Sequence, residues 1–309
     1  MERRRTRQKR KKRKFVSLIL LIILVIGAVF AFNVYSSFNS ALKNIVNKSA
    51  LEKSEKREKD VSLKNKDAFT VLLLGVDERE GDKGRSDTML LMSVNGEKNS
   101  VEMLSIPRDT RVNIAGKGKE DKINHAYAFG GVDMSAKTVE EFLDIPVDYY
   151  VEMNMDGFKE MVDAVGGVDV ENSFAFSYGG ESFDKGTIHL TGQQALEYTR
   201  MRKEDPQGDF GRQARQRQVI QGILNKGASI NSIWKYNDIL DALKTNMETN
   251  LSVDEMRAIQ KNYAGARNNI KQEQIEGTGK KIDGIYYYIV PDEEKERVST
   301  IFKEHLNLQ

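Results

Sequence analysis

The sequence predicts an α/β domain, with a central mixed β-sheet flanked by helices, carried behind one transmembrane helix. Short apolar runs closed by glycine alternate with segments of helical period from Phe69 to the end of the chain. After residue 67 no linker, internal repeat or low-complexity tract divides the chain, so one domain is expected at 67–309. Ahead of it, residues 15–32 form an apolar run without a charge.

That run spans about 27 Å as a helix, close to a hydrocarbon core of about 30 Å. It is longer than the roughly 7–15 apolar residues of a cleaved signal, and no small-x-small site follows it. A membrane anchor is therefore expected at 15–34. Residues 1–14 hold ten Lys/Arg against one acid, Glu2, so the rest of the chain is net acidic although the total is +2. The positive-inside rule makes 1–14 a cytoplasmic tail and puts everything beyond the anchor outside the cell. The basic tail is then a topology determinant, and no nucleic-acid partner is expected. Residues 35–66 read as an extracellular stalk. Their charged part, 43–66, mixes eight Lys/Arg with four acids and has no sustained apolar stripe.

Within the domain, residues 69–75 read as a buried central strand and 86–94 as a second. Asn95 and Gly96 turn the chain into a third strand at 100–106, making a hairpin. Residues 133–143 have helical spacing, with Val139, Phe142 and Leu143 on one face. A strand at 149–153 precedes a helix at 156–165, stopped by Gly166 and Gly167. A short strand follows at 168–170. Thr191 caps a helix to residue 200, and 210–227 forms a long polar helix with Val219, Ile223 and Leu224 turned inward. Helices are expected at 232–246 and 252–264, a late strand at 285–290 that buries Tyr286 to Tyr288, and a last helix at 293–306.

The candidate chemistry sits at strand ends and in one arginine-rich stretch. Asp77 follows the first strand, Arg85 and Asp87 bracket the start of the second, and Arg108 follows the third. Loops at strand ends are where α/β proteins hold ligands. Carboxylates suit a hard divalent cation, and guanidinium forks suit phosphate oxygens. Further along come Arg200, Arg202, Asp209, Arg212, Arg215, Gln216 and Arg217. On a helix Arg212, Arg215 and Gln216 share one face. So many arginines near glycines, in an otherwise acidic domain, point to an anion site. Other chemistries fit worse. The chain has no cysteine, which removes thiolate and cysteine–zinc sites. His125, His189 and His305 have no zinc-protease spacing, and there is no nucleophile elbow or P-loop.

Taken in order, the stretches 73–77 (LLGVD), 85–88 (RSDT), 105–110 (SIPRDT), 122–130 (KINHAYAFG), 165–168 (VGGV), 190–193 (LTGQ), 198–202 (YTRMR) and 208–216 (GDFGRQARQ) resemble the LytR–CpsA–Psr family of Gram-positive cell-envelope phosphotransferases. Within the family the chain is most similar to the teichoic acid transferases. The resemblance implies Mg²⁺ (or Mn²⁺)-dependent transfer of an anionic glycopolymer, such as wall teichoic acid, from an undecaprenyl-pyrophosphate carrier to peptidoglycan. It implies that Asp77 and Asp87 hold the metal. Arg85, Arg108, Arg200, Arg202, Arg212 and Gln216 would hold the pyrophosphate. Asp209 falls in the motif either as an orienting group or as a chemical one. The resemblance also implies an apolar pocket for the prenyl chain, expected near Phe142, Met161 and Phe129. The same residues would serve hydrolysis of the lipid pyrophosphate by water, whereas a non-catalytic polymer-binding or regulatory module would depend on other surface residues and not on Asp77 or Arg212.

Overall fold

Phe69–Val76 (β1) is apolar at nearly every position and buried along its length. Its neighbour Ser86–Asn95 (β2) runs antiparallel to it and turns into Ser100–Ser105 (β3), while Tyr149–Asn154 (β6) runs parallel to β1 on the other side. Met247–Thr249 (β11) and Ile270–Gln274 (β12) form the edges. The result is a mixed six-stranded sheet in the order β11-β6-β1-β2-β3-β12. The computed structural model describes residues 46–47, 51–77, 84–227 and 246–308.

A central strand sends alternate side chains to opposite faces, and both must be covered. Leu72 and Leu74 enter one buried cluster with His125–Leu143 (α1) and Asp292–Leu306 (α6). Phe69 and Val71 enter a second, packed by Val253–Asn262 (α5). A third cluster joins Met155–Ala164 (α2), Gly192–Arg200 (α3) and the inner side of Asp209–Gly227 (α4) to two short hairpin pairs. These pairs are Val168–Asn172 (β7) with Gly186–Leu190 (β10), and Phe176–Tyr178 (β8) with Glu181–Phe183 (β9).

The expected strands and helices lie largely where periodicity puts them. Thr191 caps α3 through a capping box with Gln194, and Gly166 and Gly167 end α2 at φ 84° and 79°. Several details differ. α1 begins at His125, eight residues early, and is broken where Gly131 takes φ 64°. The β2–β3 turn is wider than two residues, because the Asn95 side chain accepts the amides of Glu97 and Lys98. Leu224 is 38% exposed rather than turned inward, and Tyr286 is 45% exposed while Tyr287 and Tyr288 are buried. Some short strands escape periodicity: Arg111–Asn113 (β4) with Glu120–Lys122 (β5), and Thr278–Ile282 (β13), which pairs with the expected late strand, here Ile285–Ile289 (β14). Most of the helix expected at 232–246 lies outside the described residues, as do the tail and the anchor at 15–34. Among the described residues no helix is long and apolar enough to cross a membrane.

The described part of the expected stalk packs against the domain. Leu51 and Leu63 are buried in the core clusters. Arg57 forms a two-pronged ion pair with Asp148 at 2.8 and 2.7 Å, and both side chains are under a tenth exposed. Asp148 also accepts the Thr70 amide at 2.8 Å, so this segment is tied to the start of β1.

The last helix is tied to the β2–β3 hairpin by His305, whose two ring nitrogens meet Ser93 Oγ at 2.7 Å and Ser100 Oγ at 2.8 Å. Burial first, then Lys98 and Lys271, push this imidazole down from 6.5 to about 4. Below pH 6.5 the unfolded chain binds a proton that the folded chain refuses. The associated stability is complete above that pH and is lost as the pH falls toward 4. A shift of this size corresponds to roughly 3 kcal/mol. In urea unfolding across this range, His305→Gln should flatten the native protein's loss of stability. An unchanged slope would show that His305 is not the responsible group.

Candidate active site

The parallel pair β1 and β6 and the hairpin β2–β3 bring four chain segments to one end of the central strands. Asp77 follows β1, Asp87 is the second residue of β2, the chain after β3 leads to Arg108, and β6 ends at Asn154. Gly75 on β1 permits this crowding. A Cβ there would stand 3.0 Å from the Cβ of Thr88. Thr88 in turn accepts a hydrogen bond from Gln216 Nε2 at 2.9 Å, which draws α4 onto the strand end.

Pro107 starts a turn in which the Thr110 amide donates to the Pro107 carbonyl at 3.0 Å, and the turn projects Arg108 and Asp109. Arg108 Nη1 meets Asp87 Oδ1 at 2.8 Å, and Lys122 Nζ meets Asp109 Oδ1 at 2.6 Å. Burial opposes the Arg108 charge. Asp87, Asp109 and Asp209 outweigh it and hold the guanidinium above its ordinary value.

Arg212 comes from the first turn of α4. Gly208, at φ 57°, turns the chain into this helix. Gly211 is required because any Cβ there would run into the Asp205 carboxylate. Asp209 Oδ1 lies 2.7 Å from Arg212 Nη2, close enough for an ion pair but outside hydrogen-bond alignment. Asp209 Oδ2 accepts from Gln213 at 3.0 Å, so Asp209 orients its helix as well as neutralising Arg212. Arg212 is 8% exposed. Burial first, and the fields of Arg108 and Arg202, lower its pKa against the opposing pull of Asp209 and Asp87. The Nε–H groups of Arg108 and Arg212 are both buried without a hydrogen-bond partner. Two buried, unsatisfied guanidinium donors are suited to the oxygens of an incoming anion.

Beside these groups opens a cavity of about 240 Å³. Leu73, Leu90, Val151 and Met153 of the sheet line one wall, and Met155, Phe158, Leu196 and Ile220 of α2, α3 and α4 line the other. Asp77, Asp87, Arg200, Arg212 and Gln216 close its polar end. The expected apolar pocket is therefore present, but its expected lining is corrected. Phe142 packs on the opposite sheet face with α1, and neither Met161 nor Phe129 reaches the cavity. The ring of Phe129 instead lies under Lys119, 4.5 Å away.

The predicted site residues do not all converge. Arg200, 3.7 Å from Glu197, lines the cavity mouth. Arg202 stands outside the lining but within the field of Arg212. Arg85 is exposed and off the lining, and its carbonyl accepts the Asp77 amide at 3.3 Å. Arg215 does not share the site face with Arg212. It is buried against Asp205, donates to the Tyr198 carbonyl at 2.9 Å, and lies over Phe176. Arg217 likewise holds Ser105 and Gln272. Phe158, Leu196, Ile220 and the exposed Tyr178 are cavity residues that the sequence reading missed. Their helical spacing marks an apolar face without showing that the face borders a void.

A model of the LytR_cpsA_psr family matches residues 33–304. The polyisoprenyl-teichoic acid–peptidoglycan teichoic acid transferase TagU of Bacillus subtilis strain 168 is 56% identical over 257 residues, 83% of this chain and 84% of that protein. The crystal structure of B. subtilis TagU aligns with a TM-score of 0.65 at 52% identity, covering 79% of this chain and 99% of that one. TagT bound to LI-WTA aligns with a TM-score of 0.73 at 35% identity, covering 85% and 100%. With a match over most of its length and relatives above half identity, the chain belongs to the LytR_cpsA_psr family.

Proposed function

We propose that this protein is a membrane-anchored phosphotransferase. It moves an anionic glycopolymer of the wall teichoic acid type from a polyprenyl-pyrophosphate carrier to a hydroxyl of peptidoglycan, on the outer face of the membrane. The observation that carries this reading is an apolar cavity whose polar end holds the buried Arg212, with Arg108 tied to the same end through Asp87, each guanidinium keeping one buried Nε–H without a partner. A polyprenyl pyrophosphate has the same two-part character. Relatives that are named teichoic acid transferases support the choice of polymer.

The apolar wall takes part of the prenyl chain, and the gain is the usual one of about 25 cal/mol per Å² of apolar surface removed from water. Arg108, Arg212 and Arg200 face the pyrophosphate, with Arg202 adding charge at the rim and Arg85 available from the exposed side. Gln216 is held by Thr88 and supplies a neutral donor. Asp77 and Asp87 border the same end of the cavity. Among the described residues no third carboxylate or histidine completes an all-protein metal cage. A pair of carboxylates suits Mg²⁺ or Mn²⁺, which keep water and substrate phosphates as their other ligands. Bound there, the ion would supply charge neutralisation across both phosphates.

Phosphoryl transfer of this kind depends on positioning and electrostatics more than on covalent help from the protein. The acceptor oxygen bonds to the glycan-side phosphorus. The bridging P–O bond breaks, and polyprenyl phosphate leaves with the electron pair. The hydroxyl proton passes to one of the carboxylates Asp77, Asp87 or Asp209. The arginines hold the charge that builds on the phosphate oxygens and on the leaving group. The anchor confines the enzyme to the plane of its lipid substrate and raises the effective concentration.

The reading is tested with the full-length protein in detergent, a polyprenyl-pyrophosphate saccharide, un-crosslinked peptidoglycan oligomers and Mg²⁺, with products followed by mass spectrometry. A glycan–phosphate–peptidoglycan adduct is expected, lost on chelation and restored by Mg²⁺. Arg108→Ala and Arg212→Ala should each lower kcat by at least about 100-fold, the usual cost of removing one preorganised donor to a transition-state anion. Free glycan phosphate without an adduct would make water the acceptor. In a separate prediction, Ile220→Asn places an amide in the cavity wall. It should raise KM for the lipid donor by roughly tenfold with little change in kcat, because it removes binding shared by ground and transition states. An unchanged KM would place the prenyl chain elsewhere.

A further inference from the structure

The β13–β14 hairpin adjoins the arginine set and has no role in the steps above. It is fastened beneath the Arg108 turn. The Tyr288 amide donates to the Asp109 carbonyl at 2.8 Å, Thr110 bridges to Tyr288, and Phe210 meets the Tyr288 ring edge-on at 5.7 Å. Two residues earlier on the same strand face stands Tyr286, 45% exposed. Its ring lies across Gly279 of the neighbouring strand, where an added Cβ would come within 2.7 Å of the phenol oxygen. Lys281 pairs with Tyr286 in the strand register, and neither Lys280 nor Lys281 has an ion-pair partner among the described residues. Partial burial first, then Asp109 and Asp209, raise the Tyr286 pKa while Arg202 opposes them, so the phenol stays protonated within the field of the site.

The position of the hairpin gives this exposed ring a meaning. No hairpin residue lines the apolar cavity. A chain of contacts leads from the cavity lining to the hairpin: Arg212 pairs with Asp209, Asp209 lies within the field of Arg108, and the Arg108 turn holds Tyr288. In phosphoryl transfer the attacking and leaving oxygens lie roughly in line through phosphorus. The leaving polyprenyl phosphate is drawn toward the cavity. The attacking sugar must therefore approach from the side on which the hairpin stands.

We infer that Tyr286, with Lys281 beside it, is the binding platform for the acceptor glycan. The ring carries one face of a peptidoglycan saccharide, and the lysine meets the carboxylates of that strand. An aromatic side chain suits the task because it offers a large, rigid apolar face with a polar tip. The inference rests on the proposed transfer reaction, and it is tested by binding rather than by turnover alone.

The full-length protein in detergent micelles is titrated calorimetrically with an un-crosslinked peptidoglycan tetrasaccharide bearing its stem peptides, and separately with a polyprenyl-pyrophosphate saccharide. Tyr286→Ala should weaken tetrasaccharide binding by roughly tenfold, the scale of one lost aromatic contact, and leave donor binding unchanged. Tyr286→Phe should bind nearly as the native protein does. Gly279→Ala, which keeps the ring but displaces it, should weaken tetrasaccharide binding too. Tetrasaccharide binding that is absent from the native protein, or unchanged in Tyr286→Ala, would overturn the inference. So would a loss confined to the donor, which would assign the ring to the donor glycan. Tyr286-dependent binding of the tetrasaccharide without any transfer would instead sink the transferase reading and leave the platform standing.

Discussion

Arg212 keeps a positive charge at the wall of an apolar cavity, where burial works against it. A buried guanidinium is stable only beside anions and hydrogen-bond acceptors. Asp209 answers one side of it, and Asp87 contributes through its pairing with Arg108. The remaining deficit appears as two buried Nε–H groups without partners. In the proposed reaction those donors meet the phosphate oxygens without a reorganisation cost.

Holding Arg212 there requires a rigid first turn in α4, and neighbouring arginines provide it. Arg215 clamps the helix to the last turn of α3 through the Tyr198 carbonyl and to the loop after it through Asp205. Arg217 fixes it to the opposite side, on Ser105 and Gln272. The arginine-rich stretch is thus divided by helical geometry. Arg215 and Arg217 hold the helix, while Arg212 turns to the cavity. Gly208 and Gly211 belong to the same device, since one turns the chain and the other makes room for Asp205.

The segment before β1 binds at the other end of that strand. Arg57 and Asp148 lock it beside Thr70, whereas the site begins at Asp77. At about 3.3 Å per residue these points are roughly 23 Å apart along the strand. The described chain ahead of β1 is therefore fixed to the domain well away from the candidate site. A buried, two-pronged pair is costly to break from one side, so this attachment is part of the fold rather than a loose tether.

The amino-acid sequence alone determined the α/β class, the positions of β1, β2, β6 and most helices, and the two clusters of charged residues. Those features depend on local periodicity, turn chemistry and charge pattern, all of which are written along the chain. It also carried motifs dense enough for the family to be named. Tertiary structure decided the rest. Which sheet face holds the cavity depends on how α2, α3 and α4 fail to fill the space over Leu73 and Val151, and no single element contains that information. The split between Arg212 and Arg215, the exposure of Arg85 and the packing of residues 51–66 follow from contacts between segments far apart in the chain. Tyr286 shows the limit most directly. In sequence it is one of three tyrosines in an apolar strand, and only the register of β13 against β14, with Gly279 beneath the ring, brings it to the surface within the field of Asp109, Asp209 and Arg202.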